Sequence, residues 1–252
     1  MTANCKHISK TCIFYTNTDW LQKEENYEAA WNYLPEYRRE KAKSYQLNQD
    51  RIRSVAAGIL LVTATMLYLN REKESLFDEH SEFHEEPVCM DLRKCIKMLE
   101  KMDDSVRNII EHVAISPQEK PYYPDAPELH YNLTHAGSYA ACIISDMPCG
   151  IDMEGNRKVN DATARRFYSE EEYAWMETAE DKEEKADRFF RLWTLKEAYT
   201  KAEGTGIFRG IRKVQLIPSG DRLVIADQKM REGCTITEYR VGQFRLAAVR
   251  MK

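Results

Sequence analysis

The sequence predicts an α+β protein of mixed helices and antiparallel strands, and three observations carry that expectation. The first is a long, largely apolar helical stretch from Asp50 to Asn70. The second is a run of short strands parted by Gly or Asp turns: Lys213 to Ile217, Arg222 to Ala226, Cys234 to Val241 and Phe244 to Arg250. The third is an internal echo. Pro35-Glu36 precedes Asp50-Arg51 much as Glu171-Glu172 precedes Asp187-Arg188, each time leading into a long apolar helix.

Taken in order, Pro35 to Tyr45 is charged and helix-favouring, and the Asp50–Asn70 helix follows. Glu72 to Glu86 is acidic and holds His80 and His84 at i, i+4 spacing, which suits either a solvated insertion or two metal-facing imidazoles. A helix is predicted from Met90 to His112. Pro117, Pro121, Pro124 and Pro127 then exclude regular structure. Strands are predicted at Leu129 to Leu133, Tyr139 to Ser145 and Gly150 to Glu154. The latter two read as a hairpin around Asp146-Met147-Pro148. From Ala162 the chain is helical again, with a break at Ser169.

Composition bounds the class. At 252 residues, one large domain or two small ones can each bury a core. A net charge of −4 argues against general nucleic-acid affinity, so any polyanion site must be a local basic patch. Ser54 to Leu69 is too short and too rich in Ala and Thr for a membrane span and reads as a buried helix, so no membrane partner is expected. The opening residues lack the apolar core of a signal peptide. Seven cysteines, odd in number and without paired metal-type spacing, suggest reduced thiols and a cytoplasmic location.

Gly150-Ile151-Asp152-Met153-Glu154 is the most informative stretch. Strand side chains alternate, so Asp152 and Glu154 share one face and Ile151 and Met153 the other. Two acids on one face repel unless a cation or a proton lies between them. Trp193-Thr194-Leu195-Lys196-Glu197-Ala198-Tyr199-Thr200-Lys201 supplies a third acid and two lysines on a helix, a set suited to magnesium and a phosphorylated substrate. A strand with its polar face in water gives the same alternation. Glu197 shares a helical stripe with Phe190 and Trp193, where a charge must find a cation or suffer desolvation, although Lys201 at i+4 also makes an ordinary surface pair.

These motifs, with Phe167-Tyr168-Ser169-Glu170-Glu171-Glu172, Lys120-Pro121 and Asn132-Leu133-Thr134-His135, resemble the signatures of the 4′-phosphopantetheinyl transferases, in that family's order. Length and layout resemble its surfactin-synthetase-activating type. The resemblance implies a monomer of two pseudo-symmetric α+β halves, each an antiparallel sheet packed against a long helix. Residues 1–148 would carry the coenzyme A nucleotide contacts, and 149–252 the metal site and carrier-protein docking.

The implied reaction moves the phosphopantetheine arm of coenzyme A onto a serine of an apo acyl or peptidyl carrier protein, releasing 3′,5′-ADP. The resemblance assigns Mg2+ to Asp152, Glu154 and Glu197, the serine proton to Glu197, and phosphate charge to Lys196 and Lys201. It assigns coenzyme A contacts to Arg38, Lys41, Arg53, Lys120, Thr134 and His135. Arg38 and Lys41 share a helix face, which in isolation equally suits a solvated exterior. His135 in isolation equally suits a turn histidine. Glu172 is either catalytic or the N3 member of a capping box begun by Ser169. Glu119 stands where the family usually has Gly, and Thr134 where it usually has Ser. Basic residues in Asn156 to Val159 and Ala162 to Phe167 are the expected docking surface for an acidic carrier helix. A catalytically silent coenzyme A or nucleotide-binding protein is the alternative.

Overall fold

A 22-residue helix lies at the centre of each half of the chain, and the rest of each half is arranged around it. The structure is a computed structural model that describes residues 11–70, 86–155, 159–206 and 210–252. His80 and His84 lie outside the described residues.

The first half runs β1 (Thr11–Asn17), α1 (Glu24–Trp31), α2 (Glu36–Lys43), α3 (Asn48–Leu69), β2 (Val88–Cys89), α4 (Leu92–Leu99), α5 (Asp104–Glu111), β3 (Ala114–Ile115), β4 (Pro121–Tyr122), β5 (His130–Ala136) and β6 (Tyr139–Ser145). The second runs β7 (Cys149–Gly155), α6 (Asp161–Phe167), α7 (Glu170–Glu177), α8 (Lys182–Glu203), β8 (Leu216–Ser219), β9 (Arg222–Ile225), β10 (Cys234–Val241) and β11 (Phe244–Met251), with one helical turn at Gln228–Glu232. The sheets are ordered β2-β1-β6-β5 and β10-β11-β7. In each half, then, a first strand pairs antiparallel with the second strand of a later hairpin, and two short helices (α1 and α2, or α6 and α7) followed by a 22-residue helix intervene. The two-half α+β expectation is borne out.

α3 is apolar on every side, and such a helix must be surrounded. All its residues from Ser54 to Tyr68 are buried, against Leu34, Leu99, Val106, Tyr123 and Ile144 among others. At 22 residues, with an 18-residue window of mean hydropathy 1.8, it is long and apolar enough to cross a membrane, contrary to the length argument from Ser54 to Leu69; here it is enclosed by protein. A second core surrounds α8, and a third joins the halves through Ile13, Ile143, Ile151, Met153 and Leu246.

Three sequence-based boundaries change. The Met90–His112 helix is two helices, because Asp103 caps a new one by accepting from the Val106 amide at 2.9 Å. The proline-rich loop contains a two-residue ladder, Ala114–Ile115 with Pro121–Tyr122. Most consequentially, β6 and β7 are not a hairpin: β6 pairs with β1 and β5, and β7 with β11, so residues 146–148 carry the chain from one sheet to the other.

That crossing sets the sheet edges β5 and β7 side by side, where side chains take the place of a ladder. Asn132 Oδ1 accepts from the Ile151 amide at 3.0 Å and Thr134 Oγ1 from the Met153 amide at 3.1 Å. β7 is thereby fixed between both halves.

Candidate active site

The alternation expected along β7 holds. Ile151 and Met153 enter the core between the halves, while Asp152 and Glu154 face a cleft of about 320 Å³. Its walls include Arg38, Lys41, Tyr45, Thr134, His135 and Lys201. A second, more open lobe of about 600 Å³ shares His135 and Glu154 with it and adds Arg53, Gly137, Glu183, Arg240, Gln243 and Phe244.

α8 reaches Asp152 because it rests directly on β7. A Cβ at Gly150 would stand 2.2 Å from the Ala198 carbonyl oxygen and 2.4 Å from the Ala202 nitrogen, so only glycine permits this approach. The contact delivers Lys201, whose Nζ donates to Asp152 Oδ1 at 2.6 Å and to the Ile151 carbonyl at 3.2 Å, and lies 3.8 Å from Glu197 Oε2. Burial opposes the Lys201 charge, but Asp152 and Glu197 outweigh it and its pKa is raised. Burial, then the repulsion of Asp152, push the Glu197 carboxyl up to about 7 despite Lys201, and Trp193 hydrogen-bonds to it.

Asp152 has a further feature. Its Oδ1 is engaged by Lys201 and by the Thr134 hydroxyl at 3.3 Å, whereas its Oδ2 is buried with no hydrogen-bond partner among the described residues. A buried carboxylate oxygen left bare costs free energy, and a hard cation would satisfy it. Among the described residues no three acid, His or Cys side chains close into a ready-made metal cluster. Asp152 and Glu197 thus fit an open cation site that takes its other oxygens from substrate and water.

The cations of the first half form the opposite wall. Arg38 donates from Nη2 to the Ser54 carbonyl at 2.9 Å. Arg53 donates to Asp50 at 2.5 Å and to the Gly137 carbonyl at 3.0 Å. The Nε of each is buried without a partner among the described residues. Lys41 Nζ lies 5.4 Å from the centre of the Tyr45 ring, which meets His135 edge-on. Burial and then Arg53 lower the His135 pKa, so its imidazole is neutral near pH 7.

Three expected residues are placed elsewhere. Lys196 is not at the cleft: it is 1% exposed and turned into the second core, pairing with Glu172 at 2.8 Å and donating to the Phe167 and Ile211 carbonyls at 3.3 and 3.2 Å. Lys196 and Glu197 are adjacent on a helix, so they point about 100° apart and cannot both face β7. Glu172 completes the capping box with Ser169 and accepts from the Leu216 amide at 2.7 Å, which gives it a structural position rather than one at the reacting centre. Lys120 donates to the Cys149 carbonyl at 3.2 Å, at the far end of β7 from Glu154. Glu119 beside it has φ +60°, the left-handed conformation that glycine favours, so the loop keeps a glycine-type shape without glycine.

Of the expected docking surface, residues 156–158 lie outside the described residues. On α6, Arg165 and Arg166 are exposed and stack over Tyr173 and Phe167. The sequence reading missed Tyr45 and, in the second lobe, everything but Arg53, His135 and Glu154. A Gly-X-aromatic turn repeated at Gly137-Ser138-Tyr139 and Gly242-Gln243-Phe244 was the available signal for the lobe.

Residues 148–249 match the family model of the 4′-phosphopantetheinyl transferase superfamily. The 4′-phosphopantetheinyl transferase Sfp of Bacillus subtilis (strain 168) is 39% identical over 97 residues, 38% of this chain and 43% of that protein. The 4′-phosphopantetheinyl transferase gsp of Aneurinibacillus migulanus is 33% identical over 111 residues, 44% of this chain and 46% of its own. The chain thus spans under half the length of these curated relatives. The crystal structure of Thermotoga maritima holo-[acyl-carrier-protein] synthase overlaps 42% of this chain and 63% of its own at 23% identity, with a TM-score of 0.34, too slight an overlap to carry weight. The resemblance read from the motifs is borne out over residues 148–249; Lys120 and Asn132 to His135 lie upstream of that span.

Proposed function

We propose that this protein is a 4′-phosphopantetheinyl transferase that moves the phosphopantetheine arm of coenzyme A onto a serine hydroxyl of an apo carrier protein and releases 3′,5′-ADP. The observation that carries this reading is the meeting of Asp152, Glu197 and Lys201 at the floor of a cleft whose other wall is cationic.

Coenzyme A is held with its 3′-phosphate against Arg38, Lys41, Arg53 and His135 and its pyrophosphate over Lys201. Asp152 and Glu197 would hold Mg2+, with Glu154 on the same strand face, and the ion would supply positive charge beside the pyrophosphate. The serine Oγ attacks the phosphorus that carries the pantetheine arm. The bond from that phosphorus to the bridging oxygen breaks, and 3′,5′-ADP departs with the bond's electrons. The serine proton passes to Glu197, directly or through water. Lys201 stays beside the pyrophosphate as its charge grows.

In this scheme residues 1–148 supply the nucleotide contacts and 149–252 the acids, so one chain suffices and the protein works as a cytoplasmic monomer. The basic surface around α6 receives the carrier. The test is incubation with fluorescent coenzyme A, Mg2+ and a panel of apo acyl and peptidyl carrier proteins. Label should appear on at least one carrier and vanish with EDTA. Binding of coenzyme A with no transfer to any carrier would contradict the proposal and favour a silent binding protein.

A further inference from the structure

The two hairpin tips that frame the second lobe are equivalent in the two halves, and they interlock. Each has glycine first in a two-residue turn followed by an aromatic residue that opens the return strand: Gly137-Ser138-Tyr139 between β5 and β6, Gly242-Gln243-Phe244 between β10 and β11. The Tyr139 and Phe244 rings meet edge to face at 5.6 Å. The Phe244 ring lies between glycines of different halves: a Cβ at Gly137 would stand 2.3 Å from its Cζ, and one at Gly155 2.7 Å from its Cε1. Gly137, at φ +54°, is held from the other side by Arg53, which donates to its carbonyl at 3.0 Å. The ring of one half thus backs the turn on which a cleft cation of the other half is anchored.

We propose that Phe244 is a positioning residue: by clamping the Gly137 turn it fixes Arg53 and the neighbouring His135 for the donor's 3′-phosphate. This rests on the proposed transferase reading. On the Gly155 side the ladder between β7 and β11 already fixes the backbone, from Gly155 against Phe244 to Cys149 against Arg250. Loss of the ring therefore acts on the Gly137 side, on donor binding rather than on the acids.

The experiment measures 3′,5′-ADP binding by calorimetry, and transfer from coenzyme A and from dephospho-coenzyme A, for wild type, Phe244→Ala, Phe244→Leu and Arg53→Ala. Phe244→Ala should weaken 3′,5′-ADP binding about tenfold, the loss of one charge-assisted contact. It should raise the coenzyme A KM similarly, keep kcat close to wild type and lose most of the preference for the 3′-phosphorylated donor. A purely structural role would lower the melting temperature of Phe244→Ala and leave the preference intact. That outcome, with Arg53→Ala losing the preference, overturns the clamp alone. If Arg53→Ala also keeps it, the 3′-phosphate assignment falls as well. Phe244→Leu gives the same readout with a smaller shift should the alanine variant not fold.

Discussion

α3 and α8 have equal length and equivalent places in the two halves, yet only α8 fully buries charged side chains. α3 fully buries Ser54, Thr63 and Thr65 and half-buries Asp50 and Arg53 at its start; α8 fully buries Lys196 and Glu197 and half-buries Lys201. An α+β half therefore needs no fully buried charged side chain at its central helix to hold together. The first half keeps its cations where α2 and the start of α3 meet the cleft, with guanidinium groups braced by backbone carbonyls. The second half takes its charges out of water, which costs free energy unless each is paired. One of its pairs, Lys196 with Glu172, is closed by hydrogen bonds; the other group, Asp152, Glu197 and Lys201, is left open toward the cleft.

The closed pair should give the largest effect. Removing one partner strands the other, so Lys196→Ala or Glu172→Ala should each cost about 3–5 kcal/mol in chemical denaturation. Lys196→Met with Glu172→Gln, which removes both charges but keeps an acceptor for the Ser169 and Leu216 amides, should recover most of that loss. If the double change costs as much as the single ones, the ion pair contributes more than mutual neutralisation.

The open group should impose a pH dependence that α3 lacks. The Glu197 carboxyl is raised from its ordinary 4.5 to about 7. With the folded pKa above the unfolded one, its contribution to stability is fully present below about 4.5 and is lost as pH rises through about 7. Against Glu197→Gln, wild type should lose roughly 3 kcal/mol across that window in metal-free buffer. Parallel stability curves for the two proteins would remove Glu197 as the titrating group.

The seat of α8 on β7 comes next. Gly150→Ala places a Cβ against the α8 backbone, and the helix must shift. Overpacking of this kind costs about 1–3 kcal/mol, and transfer should fall further than stability because Lys201 and Glu197 move with the helix. Unchanged transfer would mean that the approach at Gly150 does not set the site. The smallest effect belongs to the first half: Glu119→Gly should stabilise by about 1 kcal/mol through relief of the left-handed backbone alone, seen as a higher melting temperature.

What the sequence made legible follows from range. Strands Tyr139–Ser145 and Cys234–Val241 and the Ser169 capping box are local patterns, and they appear where periodicity and cap chemistry place them. The acids of β7 were legible because alternation is local too. The partner of β7 was not: a three-residue connection reads as a hairpin turn, and only the sheets reveal that β11 pairs there. β1 went unread, for Thr11–Asn17 is buried nearly throughout and shows no clean alternation. Lys196 and Lys201 look alike in the motif. Which of them meets Asp152 depends on the rotation of α8 about its axis, and the contact at Gly150 sets that rotation.

The central claim is that the open charges of α8, Glu197 with Lys201, are kept for chemistry at a cost to stability. Glu197→Gln tests it most directly, with melting temperature and transfer of fluorescent coenzyme A to an apo carrier measured on the same sample at pH 8. The variant should melt no lower than wild type in metal-free buffer, because a costly charge is gone, while transfer falls by at least about a hundredfold, the scale of one lost electrostatic contribution to catalysis. A variant that melts well below wild type, or one that transfers within about threefold of it (under 1 kcal/mol), would contradict the account.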